Sequence, residues 1–483
     1  MTSAAVRATA RRLSGPPGAA APGDTAAPSD SDPPAPRPAP ADVEARVPAI
    51  GRRLAAGMGT HHDPRAAIEA RMMDRIASRD DLRAALFRLV DVRPACHSYT
   101  DIAAHLAALL DEVDTPAAPF GLARSLAGRG AAWQTVVGVA SAAGVRAMAG
   151  RFIVGSGAAD ALPAVRRLWR DGVATSVDLL GEATVSEAEA DAYAERCVEV
   201  LQTLSVGMAA WAPNALLEQD PHGQVARVNL SVKVSALTPH LRADAPQRGA
   251  AGAAPRLRAI LRTARELGAH VHVDMESLDS REAVRDLTLS VLAEDEFAAG
   301  PSAGIVHQAY LTDAGEELDL LLDWARRTPR AHPLAIRLVK GAYWDHEVVE
   351  AEQNGWTVPV HTDRRACDRA FEALTDRLLD HADVVRPLIA SHNLRSVAHA
   401  IAGQQARGLP VDAVEYQVLR GLGDPLGHAL AREGLRVRTY CPIGDLVAGM
   451  AYLVRRLLEN TANDSFLRAH ASGTDLDRLL EAP

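Results

Sequence analysis

The sequence predicts an α/β protein, a (βα)8 barrel preceded by an α-helical arm and a disordered N-terminal tail. Three observations predict it. Eight short apolar or alternating runs recur at intervals from Thr175 to Gly444, helical periodicity fills the spaces between them, and helical periodicity alone occupies the region before Thr175. At 483 residues the chain also exceeds the size at which a single compact core stops growing, so a catalytic domain with attached helices or a disordered end is expected.

From Gly15 to about Asp42 the chain is nearly all Pro, Ala, Ser, Gly and Asp, with no apolar periodicity to offset the entropy of ordering. Residues 1–42 are therefore expected to form a disordered tail. Residues 43–168 read as the helical arm, because VEARVPAIGRRLAAGM, DPRAAIEARMMDRIAS, RDDLRAALFRLVDV and YTDIAAHLAALLDEV place apolar residues three or four apart. Residues 169–470 read as the barrel and 471–483 as a C-terminal tail or truncated linker. The barrel strands are expected in TSVDLLGEA (175–183), VNLSVKVSAL (228–237), HVHVDMES (270–277), GIVHQAYL (304–311), AIRLVKGAY (335–343), PLIASHN (387–393), VEYQVLRG (414–421) and VRTYCPIG (437–444).

Composition excludes several function classes. The formal net charge of −9, with no long block of Lys and Arg, argues against nucleic acid as a partner. Cys96, Cys197, Cys367 and Cys441 lie far apart without a C-x-x-C pair, which fits free thiols in a reducing cytosol. No apolar run approaches the roughly 20 residues that cross a bilayer. The first residues, MTSAAVRATARRLSG, have the basic, acid-free texture of a transit peptide. The Ala, Arg and Asp content of the whole chain fits a GC-rich bacterial genome instead, and the expectation is a cytoplasmic protein. The histidines have neither the count nor the spacing of a metal centre, His270 and His272 reading as an exposed or packed pair on one strand face. No phosphate-binding glycine motif follows a strand.

Barrel enzymes place their chemistry at the C-terminal ends of the strands. There the runs offer Asp178, Lys233, Asp274 with Glu276, Gln308, Arg337 with Lys340 and Tyr343, Ser391 with His392 and Asn393, Gln417, and Tyr440. Any one of them could simply cap the barrel. Convergence of the whole set on one mouth is what points to a site, since unpaired burial of so many polar groups would be costly. The segment AYLVRRLLENTANDSF (451–466) adds a second signal: at about 100° per residue, Tyr452, Arg455, Arg456 and Glu459 share one helical stripe and Leu453, Val454, Leu457 and Leu458 the other. Periodicity alone leaves two readings open, a solvated face or an anion-binding one in which guanidinium groups hold a carboxylate bidentately.

In this order and spacing, VDLLGEA, SVKVSAL, VHVDMES, VHQAYL, IRLVKGAYWD, ASHN, EYQVLRGLGDPL, YCPIGD and YLVRRLLENTANDSF resemble the proline dehydrogenase domain of the bifunctional proline utilization A family, and MAGRFIVG resembles part of its arm. The resemblance implies a distorted barrel that binds FAD at its strand ends and oxidises L-proline to 1-pyrroline-5-carboxylate, the first step of proline catabolism. By the same resemblance Lys233, Arg455 and Arg456 hold the substrate carboxylate, and Asp274, Leu419, Tyr440 and Tyr452 shape the pocket. Gln308, Arg337, Val339, Lys340, Gly341, Trp344, Thr362, His392, Asn393 and Glu459 surround the cofactor, with Arg337 near flavin N5 and Gly341 letting the backbone approach closely. The catalytic set is Arg337, Lys233 and Asp274. Asp274 and Glu276 could take the amine proton, or Asp274 could orient a neighbouring Lys or Tyr. The resemblance also implies that an aromatic ring at Tyr440 packs over the proline ring and leaves little room for a 4-hydroxyl on the substrate. Taken without the family, a strand-end Lys233 would also suit a Schiff-base aldolase.

The family further implies electron transfer to a membrane quinone, with peripheral contact at the inner face of the cell membrane. The chain stops at LDRLLEAP, about where the bifunctional enzymes continue into a glutamate-semialdehyde dehydrogenase domain, so two readings stay open: a stand-alone enzyme, or an excised or split half with such a dehydrogenase as partner. WTVPVHTDRRACDRAF, which carries Thr362, is shorter than the family's version and lacks its Arg-Lys pair, a departure at the adenine end of the cofactor site.

Overall fold

A computed structural model describes residues 38–58, 79–114, 119–181, 184–444, 449 and 475–483. Eight parallel strands close into a barrel: β1 (Val173–Leu179), β2 (Asn229–Val232), β3 (His270–Val273), β4 (Ser302–Gln308), β5 (Ala335–Val339), β6 (Arg386–Ala390), β7 (Glu415–Leu419) and β8 (Arg436–Ile443). Each strand pairs with the next, and β8 returns to β1 with Val173 opposite Val437. All eight expected runs supply a strand, and in most the strand is shorter than the run. In the second, for example, β2 gives way after Val232 to a 3-10 turn, Val234–Ala236. The chain leaves each strand early because its polar end turns over the mouth instead of continuing the ladder.

Helices with apolar inner faces surround the barrel, and the main core lies between strands and helices, with Leu201, Leu257, Leu318, Phe371, Ile401 and Leu430 facing Val177, Leu230, Val271, Ile305, Ile336, Ile389 and Val437. Local chemistry marks several helix starts. Ser186 Oγ caps helix Glu187–Met208 by accepting from Glu189 N at 3.3 Å, while Glu189 Oε2 reaches back to accept from Val185 N at 2.8 Å, one residue before the cap. Asp363 caps helix Arg364–Asp380 through both oxygens, which accept from Arg365 N and Ala366 N.

Inside the barrel the side chains are mostly polar, in contrast to the branched apolar layers common in such barrels. Arg438 forms a two-pronged pair with Glu415 at 2.8 and 2.9 Å, and His270 Nε2 lies 3.2 Å from His272 Nδ1. At the end where the strands begin, Asp220, from the two-residue strands Gln219–Asp220 and Gly223–Gln224, inserts its carboxylate against Arg386 at 2.6 Å and Arg436 at 3.6 Å. Burial of unpaired charge is costly, and each of these arginines has a carboxylate beside it.

The arm divides into two parts. Helices Asp80–Val92, Tyr99–Asp111, Phe120–Ala127 and Ala131–Phe152 build a separate small core from Leu82, Leu86, Leu89, Leu106, Leu110 and Val137. Helices Pro40–Glu44 and Val47–Met58 instead pack on the barrel helices Leu394–Ala406 and Asp424–Arg432. Two expectations need correction here. The chain is helical from Pro40, inside the segment expected to be a disordered tail; proline is accommodated at a helix start, and Val43 is buried against the barrel. The single helix expected from Val43 breaks at Ala45–Arg46, just ahead of Pro48, whose ring carries no N–H for a continuous ladder. Residues 1–37 and the expected helix at 63–78 lie outside the described residues.

The C-terminal segment also differs from a loose tail. Leu480 is 1% exposed, lies against Gly51, and its carbonyl accepts from Arg395 at 2.9 Å. The same guanidinium holds Glu44 at 2.6 Å and Glu372 at 2.9 Å. One arginine thus joins both described ends of the chain to the barrel.

Candidate functional site

The strand register brings five charged or polar side chains together at the C-terminal mouth of the barrel. Lys233, just past β2, is held by the following 3-10 turn, whose Ala236 N donates to the Lys233 carbonyl at 3.2 Å. Its ammonium reaches Asp178 Oδ1 of β1 at 2.5 Å, and lies 3.5 Å from the Tyr440 hydroxyl and 3.6 Å from Asp274 Oδ2. Asp274, just past β3, accepts from Arg337 Nη1 at 2.7 Å on one oxygen and from the Tyr440 hydroxyl at 2.7 Å on the other. The Arg337 guanidinium also stands over the Tyr440 ring at 5.4 Å, with Ser231 Oγ 3.2 Å from Nη2 and Ser176 Oγ 3.4 Å from it.

The cluster contains two carboxylates and two cations, so its formal charges cancel, and its four charged side chains are nearly enclosed. Burial first, and then the neighbouring Asp178 and Asp274 carboxylates, push the Tyr440 hydroxyl well above the usual phenol range. Tyr440 is therefore a fixed hydrogen-bond donor at any working pH. It cannot serve as a base.

On β4, between the strands of Asp274 and Arg337, Gln308 Nε2 donates to the Glu276 carbonyl at 2.9 Å, and its Oε1 has no hydrogen-bond partner among the described residues. The buried Nε of Arg337 is likewise without a partner among them. A donor and an acceptor, both buried, are thus left for something else to satisfy. Val339 ends β5, and Lys340 follows it, paired with Asp368. Gly341 has φ +138°, and a Cβ there would lie 2.4 Å from the Tyr310 ring, so the glycine is required by close packing against this protein's own side chain. His392 Nε2 accepts from Leu419 N at 2.9 Å, which ties the ends of β6 and β7 together and assigns the neutral ring's proton to Nδ1.

Other expected site residues take more peripheral positions. Asn393 caps helix Leu394–Ala406, its Oδ1 accepting from Ser396 N at 3.2 Å. Trp344, 40% exposed, donates from its indole N–H to the His361 carbonyl at 2.9 Å, and Thr362 is exposed beside it. Gln417 does not reach the mouth: it donates to Glu415 at 2.7 Å within the barrel. His270 and His272 are packed in the same interior. Tyr452, Arg455, Arg456 and Glu459 lie outside the described residues.

Sequence reasoning assigned no role to Ser176 and Ser231 beneath Arg337, to Tyr310 beneath Gly341, or to Asp368 beside Lys340. The first two carry a signal, since Ser176 and Ser231 each precede a mouth residue by two positions on the same strand face. Tyr310 and Asp368 reach their partners through tertiary packing that no local spacing reports.

Residues 161–469 match the family model for proline dehydrogenase, and residues 44–152 match that for the proline utilization A N-terminal domain. The bifunctional protein PutA of Klebsiella aerogenes is 33% identical over 349 residues, covering 70% of this chain and 25% of that protein. Proline dehydrogenase 1 of Bacillus subtilis (strain 168) is 28% identical over 334 residues, covering 69% of this chain and 94% of that protein. Among solved structures, proline utilization A from Bdellovibrio bacteriovorus, inactivated by N-propargylglycine, superposes with a TM-score of 0.82 at 32% identity, covering 91% of this chain and 44% of that one. The chain spans about a quarter of the length of the bifunctional relatives it matches.

Proposed function

The chain belongs to the proline dehydrogenase family, and from that premise we propose that its barrel mouth oxidises L-proline to 1-pyrroline-5-carboxylate with FAD as cofactor. The observation that carries this reading is the closed set Asp178, Lys233, Asp274, Arg337 and Tyr440 at the strand ends. Cationic groups suited to a carboxylate stand there beside an aromatic ring suited to a small apolar ring.

The residues present fit FAD. The unmatched Arg337 Nε donor and Gln308 Oε1 acceptor suit the alternating acceptors and N–H donor along a flavin's polar edge. Gln308, Arg337, Val339, Lys340, Gly341, Trp344, Thr362, His392, Asn393 and Glu459 would hold it. Bound FAD would supply the oxidant, taking a hydride equivalent from the substrate ring at N5.

The rest of the work falls to the chain's own groups. Lys233, with Arg455 and Arg456, holds the substrate carboxylate and so fixes which ring carbon faces the cofactor. Leu419, Tyr440 and Tyr452 enclose the ring, and the Tyr440 ring disfavours a 4-hydroxyl. Arg337 offers positive charge where negative charge develops. Asp274 has both oxygens engaged, by Arg337 and by Tyr440, which supports an orienting role over proton abstraction.

Electrons would leave for a membrane quinone through peripheral contact at the inner face of the cell membrane. The imine product would pass to a glutamate-semialdehyde dehydrogenase. Among the described residues no helix is long and apolar enough to cross a membrane.

An absorbance spectrum of the FAD-reconstituted protein, before and after anaerobic L-proline, tests the core of the proposal. Bound flavin that bleaches with proline is expected. Protein that retains no flavin, or flavin that proline leaves oxidised, would overturn it. A Lys233-dependent aldolase would instead give a borohydride-trapped adduct on Lys233.

A further inference from the structure

The two carboxylates at the mouth are used unequally. Asp274 commits one oxygen to Arg337 and the other to Tyr440, both at 2.7 Å. The short contact of Lys233 is with Asp178 instead, at 2.5 Å against 3.6 Å to Asp274, and the two side chains are 8% and 1% exposed. We propose that Asp178 is a positioning residue for substrate binding, pairing with Lys233 so that the ammonium stays charged and fixed where it meets the substrate carboxylate. This inference rests on the reading of Lys233 as a carboxylate ligand.

The physical argument concerns what else surrounds the ammonium. Enclosure disfavours its charged form, and the Arg337 cation of β5 in the same cluster disfavours it further. From the other elements packed around it come Asp178 of β1, Asp274 of β3, Tyr440 of β8, and Tyr193 and Cys197 of helix Glu187–Met208. Tyr193 and Cys197 stay neutral near pH 7, since burial raises the Tyr193 hydroxyl well above the usual phenol range and the Cys197 thiol to about 12. Tyr440 is neutral as well. Among the described residues the carboxylates that meet the ammonium are Asp178 and Asp274, and Asp274 is shared with Arg337. Removing the Asp178 charge should therefore let Lys233 lose its proton at a lower pH.

The test is calorimetric binding of tetrahydrofuran-2-carboxylic acid, a ring acid without an amine, to FAD-loaded protein across pH. Over the range from about 7 to about 9 neither this ligand nor an arginine titrates, so a change in affinity reports on Lys233. The parent protein should bind with a Kd constant to within about twofold, whereas Asp178→Asn should weaken by roughly tenfold or more towards pH 9. Lys233→Met should bind weakly and show no such dependence.

A flat profile for folded, FAD-retaining Asp178→Asn, parallel to the parent's, overturns the role of Asp178. Lys233→Met binding as tightly as the parent overturns the carboxylate reading itself, which separates the two failures. Should Asp178→Asn not fold, Asp178→Glu carries the test in the opposite sense. It keeps the charge, so its profile must stay flat, and a loss of affinity towards pH 9 overturns the proposal.

Discussion

At the scale of single residues, the mouth shows how much a sequence conveys about type and how little about partnership. Lys233, Asp274, Arg337 and Tyr440 are recognisable because strand ends of a barrel face one mouth. That Arg337 grips Asp274 rather than Glu276, or that Lys233 takes Asp178 as its partner, depends on side-chain reach across strands far apart in the chain. Gly341 illustrates the same limit. The family resemblance implies a close approach of cofactor to backbone, whereas the neighbour that fills the space of a Cβ is Tyr310, at 2.4 Å. Gly341→Ala would combine a strained φ of +138° with that clash, and a loss of at least about 2 kcal/mol in stability is expected. Denaturant unfolding of the variant measures it; unchanged stability would mean that Tyr310 moves aside freely.

At the scale of elements, alternation and turn signals locate all eight barrel strands because a closed parallel sheet repeats one pattern. The two-residue strands around Asp220 are too short to leave any periodicity, yet they close the opposite end of the barrel. Their contribution is electrostatic, through the 2.6 Å pair of Asp220 with Arg386 and the nearby Arg436. Asp220→Ala would leave Arg386 buried without its carboxylate, and removal of one partner from such a pair typically costs about 3–5 kcal/mol. A melting temperature within a degree or so of the parent's would show that the neighbouring carbonyls compensate. The docked C-terminal turn is likewise invisible to periodicity, because what places Leu480 is its tertiary contact with Gly51, far away in the chain.

At the scale of the whole molecule, buried histidines, two inside the barrel and one between it and its helices, tie stability to pH. Burial pushes His307 down to about 4 and holds His270 and His272 well below the usual imidazole range. In the unfolded chain each takes a proton near pH 6.5. Below that value the unfolded state binds more protons than the folded one, so this stability is fully present above about 6.5 and is lost as the pH falls. For His307 alone the loss amounts to roughly 3 kcal/mol on reaching pH 4. Glu415 acts in the same direction lower down: burial opposes its ionisation, but Arg438 and Arg436 prevail and hold it at about 2. Unfolding free energies measured at successive pH values should therefore hold level from about 7.5 to about 6.5 and fall steadily from there to about 5. A constant value across that range would contradict the packing of these histidines.

The central claim, that cationic groups at the mouth hold the substrate's carboxylate beside bound FAD, is tested most directly by titrating FAD-reconstituted protein with L-proline under anaerobic conditions. Flavin bleaching gives the proline affinity, and the flavin retained after gel filtration gives cofactor binding. Arg455→Met and Arg456→Met should each weaken proline by roughly tenfold or more while retaining FAD nearly as the parent does. Equal loss of proline affinity and flavin in both variants would assign the pair a structural role and contradict the account.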